Sequence, residues 1–334
     1  MGSNAHQGQS SHPPGYSCSK SEFLGWLQTL AVDRLTWFPQ PEGECNWNFK
    51  PVTRDSLLTW ETSRPTVVPP GRLLMPDQEI LFEFRRSADG NIEFLPLPTA
   101  QPQVLAGVHP CDLQAIAQMD AVHTDAPRDE RYLEKRSASS IIAFNCLQPC
   151  HERAFCAATG SFRRRPGAVL FVPLHGGSVL VEVESDRGRE LTAGVNWSVC
   201  ESVAEKREAA EARRPAPFGR QLLEPPERMA ATLRNAYDSP VWSRYAEACF
   251  SCGTCNLVCP TCYCFEVCDE ASLDGQSGKR TRTWDGCMVP DFAVVAGGHN
   301  FRAECADRQR HRIKRKFEYL PDRFDLGSFC VGCG

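Results

Sequence analysis

The residues best suited to chemistry in this sequence are cysteines that fall in two runs near its C-terminal end. The first run, C-F-S-C-G-T-C-N-L-V-C-P, contains Cys249, Cys252, Cys255 and Cys259, with Pro260 directly after them. Gaps of two or three residues let consecutive thiolates converge on one small inorganic core. The proline then turns the chain away, because its φ is fixed and it has no N–H. The run therefore predicts a site that holds metal through thiolate sulfur.

The order of these gaps distinguishes an iron–sulfur cluster from a single zinc ion. It is the spacing of bacterial two-cluster ferredoxins, in which the first three thiolates bind one cluster and the fourth binds the other. Zinc also binds C-x2-C pairs, but four cysteines in this order with a terminal C-P favour clusters. We therefore predict that Cys249, Cys252 and Cys255 bind one cluster and that Cys259 binds a second.

The second run, at positions 330–334, reads C-V-G-C-G and matches the start of another such motif. It adds Cys330 and Cys333 to Cys259 as predicted ligands of the second cluster. Because each cluster of such a pair draws three ligands from one motif and one from the other, both predicted clusters have three of their four ligands. We expect that the 334 residues are a shortened version of a longer native protein, with a C-terminally incomplete cluster domain.

Length, charge and composition narrow the class of protein. The chain of 334 residues is long enough for two domains, and its net charge of −4 excludes the basic footprint of a nucleic-acid-binding protein. The sequence has no apolar run long enough for a membrane span, and residues 1–19 lack the apolar centre of a signal peptide. The 18 cysteines are concentrated toward the end of the chain, which favours metal over disulfides. We expect a cytoplasmic protein with a disordered tail over residues 1–19.

The hydrophobic pattern predicts an α+β fold. Apolar residues at helical spacing predict a helix over 21–31, and short apolar runs predict strands over 79–84, 103–108 and 140–144 and a hairpin of 169–172 with 179–183. The strand, helix and strand between 103 and 144 indicate a β-α-β unit. Residues 201–226 are highly charged and end in prolines, which is typical of an interdomain linker. We predict a mixed α/β domain over 20–200 and a mostly helical, ferredoxin-like iron–sulfur domain over 227–334.

A second candidate site joins two stretches of the N-terminal domain. His109, Cys111 and Asp112 lie between a predicted strand and a predicted helix, where anionic ligands often bind, although Pro110 and Asp112 are also ordinary helix starters. The stretch 145–156 carries three cysteines and a histidine whose spacing matches no standard motif, so metal binding and ordinary buried or redox-active thiols both stay open. Those residues are Cys146, Cys150, His151 and Cys156. The alternative functions are a stand-alone redox enzyme built on these two stretches and a zinc-stabilised scaffold.

Two further features lie near the cysteine runs. Cys262, Cys264 and Cys268 follow the first run and either supplement or shield the clusters or are local extra thiols. The segment 310–316 carries five positive charges in seven residues. Such a run is usually a solvated helix face, but it also suits charge compensation of thiolate-bound clusters or docking of an acidic partner.

Taken together, several separate stretches resemble the beta subunit of cytosolic nickel–iron sulfhydrogenases and the related iron–sulfur subunit of anaerobic sulfite reductase. The resemblance covers roughly residues 65–334. It rests on 69–76 with 79–82, 107–112, 145–146 with 155–156, 249–265, 284–285 with 296–301, and 311–312 with Phe317 and 321–324. The chain departs from the family pattern at Ala154, where a cysteine is expected.

This resemblance implies an electron-transfer subunit with two 4Fe-4S clusters. Such a subunit passes electrons between a flavin-containing, pyridine-nucleotide-linked partner and a catalytic subunit, either a hydrogenase or a sulfite or sulfur reductase. We expect no catalytic residues of its own, because the sequence has no convincing acid–base or nucleophile constellation.

Overall fold

The computed structural model describes residues 15–59, 65–165, 170–172, 174–175 and 178–334, and two β-sheets run through it. The larger sheet contains β1 (Gly15–Ser19), β2 (Leu35–Glu42), β3 (Asn46–Pro51), β6 (Gln103–Val108), β7 (Ser139–Phe144), β8 (Leu170–Val172), β9 (Leu174–His175), β10 (Ser178–Val183) and β11 (Ser198–Val199). The smaller sheet contains β4 (Gln78–Arg86), β5 (Ile92–Leu95), β12 (Phe265–Ala271) and β13 (Ser277–Trp284).

Helices cover the larger sheet and form much of the C-terminal part of the chain. They are α1 (Lys20–Asp33), α2 (Pro110–Thr124), α3 (Glu130–Ala138), α4 (Asp186–Leu191), α5 (Val203–Glu211), α6 (Pro226–Asn235), α7 (Val241–Glu247), α8 (Thr254–Leu257), α9 (Cys305–Lys314) and α10 (Leu320–Phe324). A π-helical turn over Arg315–Tyr319 joins α9 to α10, and 3-10 turns lie at Pro70–Leu73 and Pro290–Ala293. The predicted first helix is confirmed by α1, which begins with a capping box between Ser19 and Glu22.

The centre of the larger sheet is parallel and fully covered. Strands β2, β6, β7 and β8 are adjacent and parallel, and α2 and α3 connect β6 to β7, which confirms the predicted β-α-β unit. Every residue of β6 and β7 is buried, as expected for parallel strands packed on both faces. The predicted hairpin is confirmed by β10, which pairs antiparallel with β8 and β9. Predicted residues 169 and 176–177 lie outside the described residues.

The smaller sheet is formed by two segments that lie far apart in the sequence. Strand β13 pairs with β4 along seven positions, so the C-terminal hairpin β12–β13 and the N-terminal hairpin β4–β5 form one sheet. Arg282 on β13 donates to buried Glu79 on β4 at 2.5 Å and also contacts Asp129 at the start of α3. The predicted separation into residues 20–200 and 227–334 therefore misses a shared sheet, because strand pairing between distant segments leaves no mark in either segment alone.

The predicted linker over 201–226 is wrong, because this segment is packed against the fold. Helix α5 places Val203 against Leu180 of β10, and Arg207 donates to the buried carboxylate of Glu182 at 2.8 Å. Phe218, from the same segment, packs against Cys111 and Cys156. The high charge that suggested a solvated linker instead serves ion pairs on the surface of the sheet.

Two other predictions need correction. Residues 15–19 of the predicted disordered tail form β1, which pairs antiparallel with β10 on one side and with β11 on the other; residues 1–14 lie outside the described residues. The C-terminal region is less helical than predicted, since the segment after the first cysteine run forms the β12–β13 hairpin, stabilised by its pairing with β4. Among the described residues, no helix has the length and apolar character needed to cross a membrane.

Candidate metal centre

The first cysteine run begins in a tight loop between α7 and α8 and continues through α8 to Cys259. Ser251 and Gly253 both have positive φ, +54° and +74°, which bends the loop so that the N–H of Ser251 donates to Cys249 Sγ at 3.4 Å. A Cβ at Gly253 would lie 2.8 Å from a methyl group of Val289, so only glycine fits there. Cys252 and Cys255 are exposed, whereas Cys249 is half-buried. The loop therefore presents its first three sulfurs near the surface.

The second run is anchored deeper in the protein. Phe329 is fully buried, and its N–H donates to the carbonyl of Lys316 at 2.7 Å. The carbonyl of Gly332 accepts from the N–H of Phe155 at 2.8 Å, which places Cys333 beside the 154–156 segment. The charges of Cys259 and Cys330 both raise the pKa of Cys333, after the larger effect of burial. The structure thus brings together Cys259, Cys330 and Cys333, the set predicted for the second cluster.

Lys316 is the buried cation of this group. Its Nζ donates to Cys259 Sγ at 3.2 Å and to Thr261 Oγ1 at 2.7 Å. Burial alone would lower the pKa of Lys316, but the negative charges of Cys259, Cys262 and Cys330 outweigh burial and raise it. A buried lysine whose hydrogen-bond partners are a thiol and a hydroxyl, with no carboxylate among them, suits a site where sulfur carries the negative charge.

Arg312 provides a positive charge beside the first cysteine run, as Lys316 does beside the second. Its Nη2 donates to the carbonyl of Cys255 at 3.2 Å, and its Nε is buried without a hydrogen-bond partner in the described residues. Burial opposes ionisation of Arg312, yet nearby thiolates, that of Cys255 foremost, raise its pKa. Arg312 and Lys316 of the basic run therefore act as counter-charges to thiolates, so the run is not simply a solvated helix face. Docking of an acidic partner by this run stays a prediction. Lys314 is also buried, where it donates to the carbonyl of Leu233 at 3.0 Å.

A further set of thiols lies between the two runs. Asn256 is fully buried, and its side-chain amide donates to Cys262 Sγ and Cys287 Sγ, both at 3.5 Å. The thiol of Cys264 donates to Cys287, and this hydrogen bond lowers the pKa of Cys287 to about 6, with Asn256 and Arg312 adding to the effect. Two of the three extra thiols named from the sequence thus belong to the site, whereas Cys268 is exposed on β12.

The second candidate site is also gathered in space. We call Cys111, Cys146, Cys150 and Cys156 the N-terminal thiol group. Cys111 and Cys156 share a buried cluster with Phe218 and Val331, and burial raises the pKa of every member of the group. Beside it lies a cavity of about 280 Å³, lined among others by His109, Asp112, Cys150, His151 and Cys333. Burial raises the pKa of Asp112 to about 7.

The spacing of donor atoms tests whether the C-terminal cysteines fit a cluster or zinc. Tetrahedral zinc with bonds of about 2.3 Å holds its thiolates about 4 Å apart. In the part of the chain that the structure describes, the one group of three donors within 4.8 Å of one another is His109, Cys111 and Asp112. Among the described residues, no three of the six predicted ligands have their sulfurs all within 4.8 Å of one another. Such spacing, with the unpaired Nε of Arg312, fits a larger anionic core.

Sequence reasoning missed three residues of this centre: Asn256, Cys287 and Cys305. Cys305 contributes a sulfur that accepts from Ser251 Oγ at 3.5 Å and hydrogen-bonds to Cys249. Asn256 lies inside the first run and was passed over because the motif constrains only its cysteines. Cys287 follows β13, and its place in the site depends on the hairpin that returns it to Cys264.

Comparisons with known proteins agree with this geometry. Residues 248–334 match the family model described as a 4Fe-4S dicluster domain. The chain is 32% identical over 296 residues to the protein named sulfhydrogenase 2 subunit beta of Pyrococcus furiosus, an alignment that covers 86% of this chain and 83% of that relative. No solved structure matches the chain.

Proposed function

Because the chain belongs to the family of sulfhydrogenase beta subunits and carries a 4Fe-4S dicluster domain, we propose that it relays electrons between two partner subunits. One partner is a flavin-containing, NAD(P)-linked reductase subunit. The other is a catalytic subunit of the hydrogenase or the sulfite or sulfur reductase type. The complex works in the cytoplasm, and the chain performs no catalysis by itself.

The proposal rests mainly on one arrangement in the structure, in which two sets of three thiols lie beside the positive charges of Arg312 and Lys316. Cys249, Cys252 and Cys255 would hold one cluster and Cys259, Cys330 and Cys333 the other. When bound, each 4Fe-4S cluster supplies a one-electron redox centre. Arg312 and Lys316 lie against these sulfurs and compensate negative charge, which favours the reduced state.

The position of the first set supports exchange with a partner. Cys252 and Cys255 are exposed, and the neighbouring side chain of Phe250 is 95% exposed. An apolar side chain beside exposed ligands offers a contact for another protein close to the redox centre. The second set lies deeper, against the N-terminal sheet domain.

The proposal is tested by purifying the full chain anaerobically with its neighbouring subunits. We expect iron and acid-labile sulfide in near-equal amounts and co-purification of a flavoprotein. The chain alone should accept electrons from a strong reductant and reduce neither protons nor sulfite with turnover. Stoichiometric zinc without sulfide, or steady turnover by the isolated chain, would contradict it.

A second candidate function is supported by the cavity beside the N-terminal thiol group. His109, Asp112 and Cys150 line its wall, and a carboxyl with a pKa near neutrality is suited to proton transfer. Under this alternative the chain is a redox enzyme in its own right. A tightly bound flavin or small-molecule turnover that is lost in Asp112→Asn but not in Asp120→Asn would favour it.

A further inference from the structure

A group of metal-binding side chains lies at the junction of β6 and α2, outside the two C-terminal cysteine runs. It consists of His109, Cys111 and Asp112, whose donor atoms all lie within 4.8 Å of one another. The donors are of three kinds, an imidazole nitrogen, a thiol sulfur and a carboxylate oxygen. The group is therefore a candidate site for one metal ion, and the inference does not depend on the function proposed for the cysteine runs.

The local backbone explains why three residues so close in sequence converge. Strand β6 carries an irregularity at Gly107, whose φ is +86°, just before the chain enters α2. His109 is the N-cap residue of α2 and has an extended backbone, with φ −73° and ψ 158°. The side chain of an N-cap residue lies beside the first helical turn, where Cys111 and Asp112 are the second and third residues.

Helix capping accounts for only one of these three side chains. The backbone N–H of His109 donates to the carboxylate of Asp112, which is one half of a capping box. A carboxylate has two oxygens and can accept several bonds, so this contact leaves room for a metal ion. Starting α2 requires neither an imidazole nor a thiol, yet His109 and Cys111 are only 6% and 8% exposed.

The three donors match the ligand preferences of zinc. Zinc binds histidine nitrogen, cysteine sulfur and carboxylate oxygen at about 2.0–2.3 Å, and tetrahedral geometry places such donors about 4 Å apart. Small side-chain rotations bring donors that lie within 4.8 Å of one another to that spacing. A neutral histidine with a thiolate and a carboxylate carries two negative charges, which one divalent ion balances. This mixed set differs from the all-thiolate sets that hold iron–sulfur clusters.

One side of the group opens into a cavity. All three residues line the cavity of about 280 Å³ described above, together with Cys150 and His151 among others. Zinc sites that act on small molecules have three protein ligands and keep the fourth position for water or a small ligand. We propose that His109, Cys111 and Asp112 bind one divalent ion of the zinc type, whose fourth position faces this cavity and takes water or a small anion.

The test uses the full chain, loaded anaerobically with its clusters, incubated with a zinc salt and then freed of unbound metal. We expect one zinc per chain in addition to the cluster iron. Zinc X-ray absorption should show one sulfur at about 2.3 Å and nitrogen or oxygen ligands at about 2.0–2.2 Å. Cys111→Ser and Asp112→Asn should each weaken zinc binding by at least about 10-fold, since even changes outside the ligands cost that much. The unchanged EPR spectrum of the clusters reports that each variant is folded.

Cys18→Ser is the matched control, because Cys18 is 7% exposed but lies in a different buried cluster from Cys111. It should bind zinc as the wild type does. Ferrous iron accepts the same donors, so one iron per chain in excess of acid-labile sulfide, lost in Cys111→Ser, would support the site with iron as its ion. A cluster-loaded chain that holds neither ion would overturn the proposal. So would two or more sulfurs around the zinc, or equal metal binding in Cys111→Ser and Cys18→Ser.

Discussion

The two thiol-rich regions of the molecule differ in the charges around them. The C-terminal cysteines face Arg312 and the buried Lys316, and the pKa of Cys259 and of Cys287 is lowered, by hydrogen bonds from Cys262 and Cys264 first. The N-terminal thiol group faces Asp112, and burial raises the pKa of Cys150 to about 11. Burial also raises the pKa of Cys255 and Cys330, but there the charges of Arg312 and Lys316 oppose the rise, whereas Asp112 adds to it at Cys150. Proximity of cysteines is therefore a weaker indicator of an anionic metal centre than the sign of the charge beside them.

Among the variants that test this difference between the two regions, removal of the positive charge of Lys316 should have the largest effect. In Lys316→Met the cluster-free chain loses two charge-assisted hydrogen bonds, to Cys259 and Thr261, and should unfold in urea with about 3 kcal/mol less stability. In the cluster-loaded protein the reduction potential of the second cluster should fall, since a compensating charge is gone.

The matched control for this variant is Lys279→Met on β13, where the lysine side chain is 39% exposed and pairs with Glu270. It should change stability by less than about 1 kcal/mol. Equal unfolding midpoints for the two variants, with an unshifted potential, would show that Lys316 does not set the charge of the site.

The features of the fold and site that could be predicted from the sequence are those whose pattern is complete within one short segment. Helix α1 carries its own capping box, and the β-α-β unit over β6, α2 and β7 has hydrophobic patterns complete within each element. The first cysteine run is recognisable because cluster ligation requires short, fixed gaps.

The remaining parts depend on contacts between distant segments. The pairing of β4 with β13 joins residues such as Phe82 and Arg280, and neither strand carries a mark of its partner. Lys316 lies in a basic run for which the sequence leaves a solvated face, charge compensation and docking all open, and only the fold shows that Lys316 contacts Cys259. The segment 201–226 looked like a linker because the carboxylate that binds Arg207 is on β10.

The pH dependence of thiol alkylation should also differ between the two regions, and we expect this effect to be intermediate in size. Burial raises the pKa of Cys150 to about 11, whereas a hydrogen bond with Thr254 lowers the pKa of exposed Cys252. A thiol with a raised pKa stays protonated until high pH, so its reaction with iodoacetamide should rise about 100-fold between pH 7.5 and 9.5. The rate at Cys252 should level off within that range.

Mass spectrometry of the cluster-free, reduced chain after timed alkylation measures both sites in one sample. Exposed Cys45 serves as an internal reference for an ordinary surface thiol. Parallel pH profiles at Cys150 and Cys252 would mean that the two regions do not differ in thiolate character.

The smallest predicted effect concerns the hydroxyl that shares Lys316. Thr261 is 2% exposed, and its Oγ1 accepts from Lys316 Nζ and donates to the carbonyl of Phe329. Thr261→Val keeps the shape but leaves that carbonyl without its donor, so the cluster-free chain should lose about 1 kcal/mol in urea unfolding. The loss is smaller than for Lys316→Met because Lys316 keeps its bond to Cys259. Thr281→Val is the matched control, since Thr281 is also buried but its Oγ1 has no hydrogen-bond partner among the described residues. That variant should be neutral or slightly more stable, and a Thr261→Val chain as stable as Thr281→Val would show that the hydroxyl contributes nothing to holding the second run against Lys316.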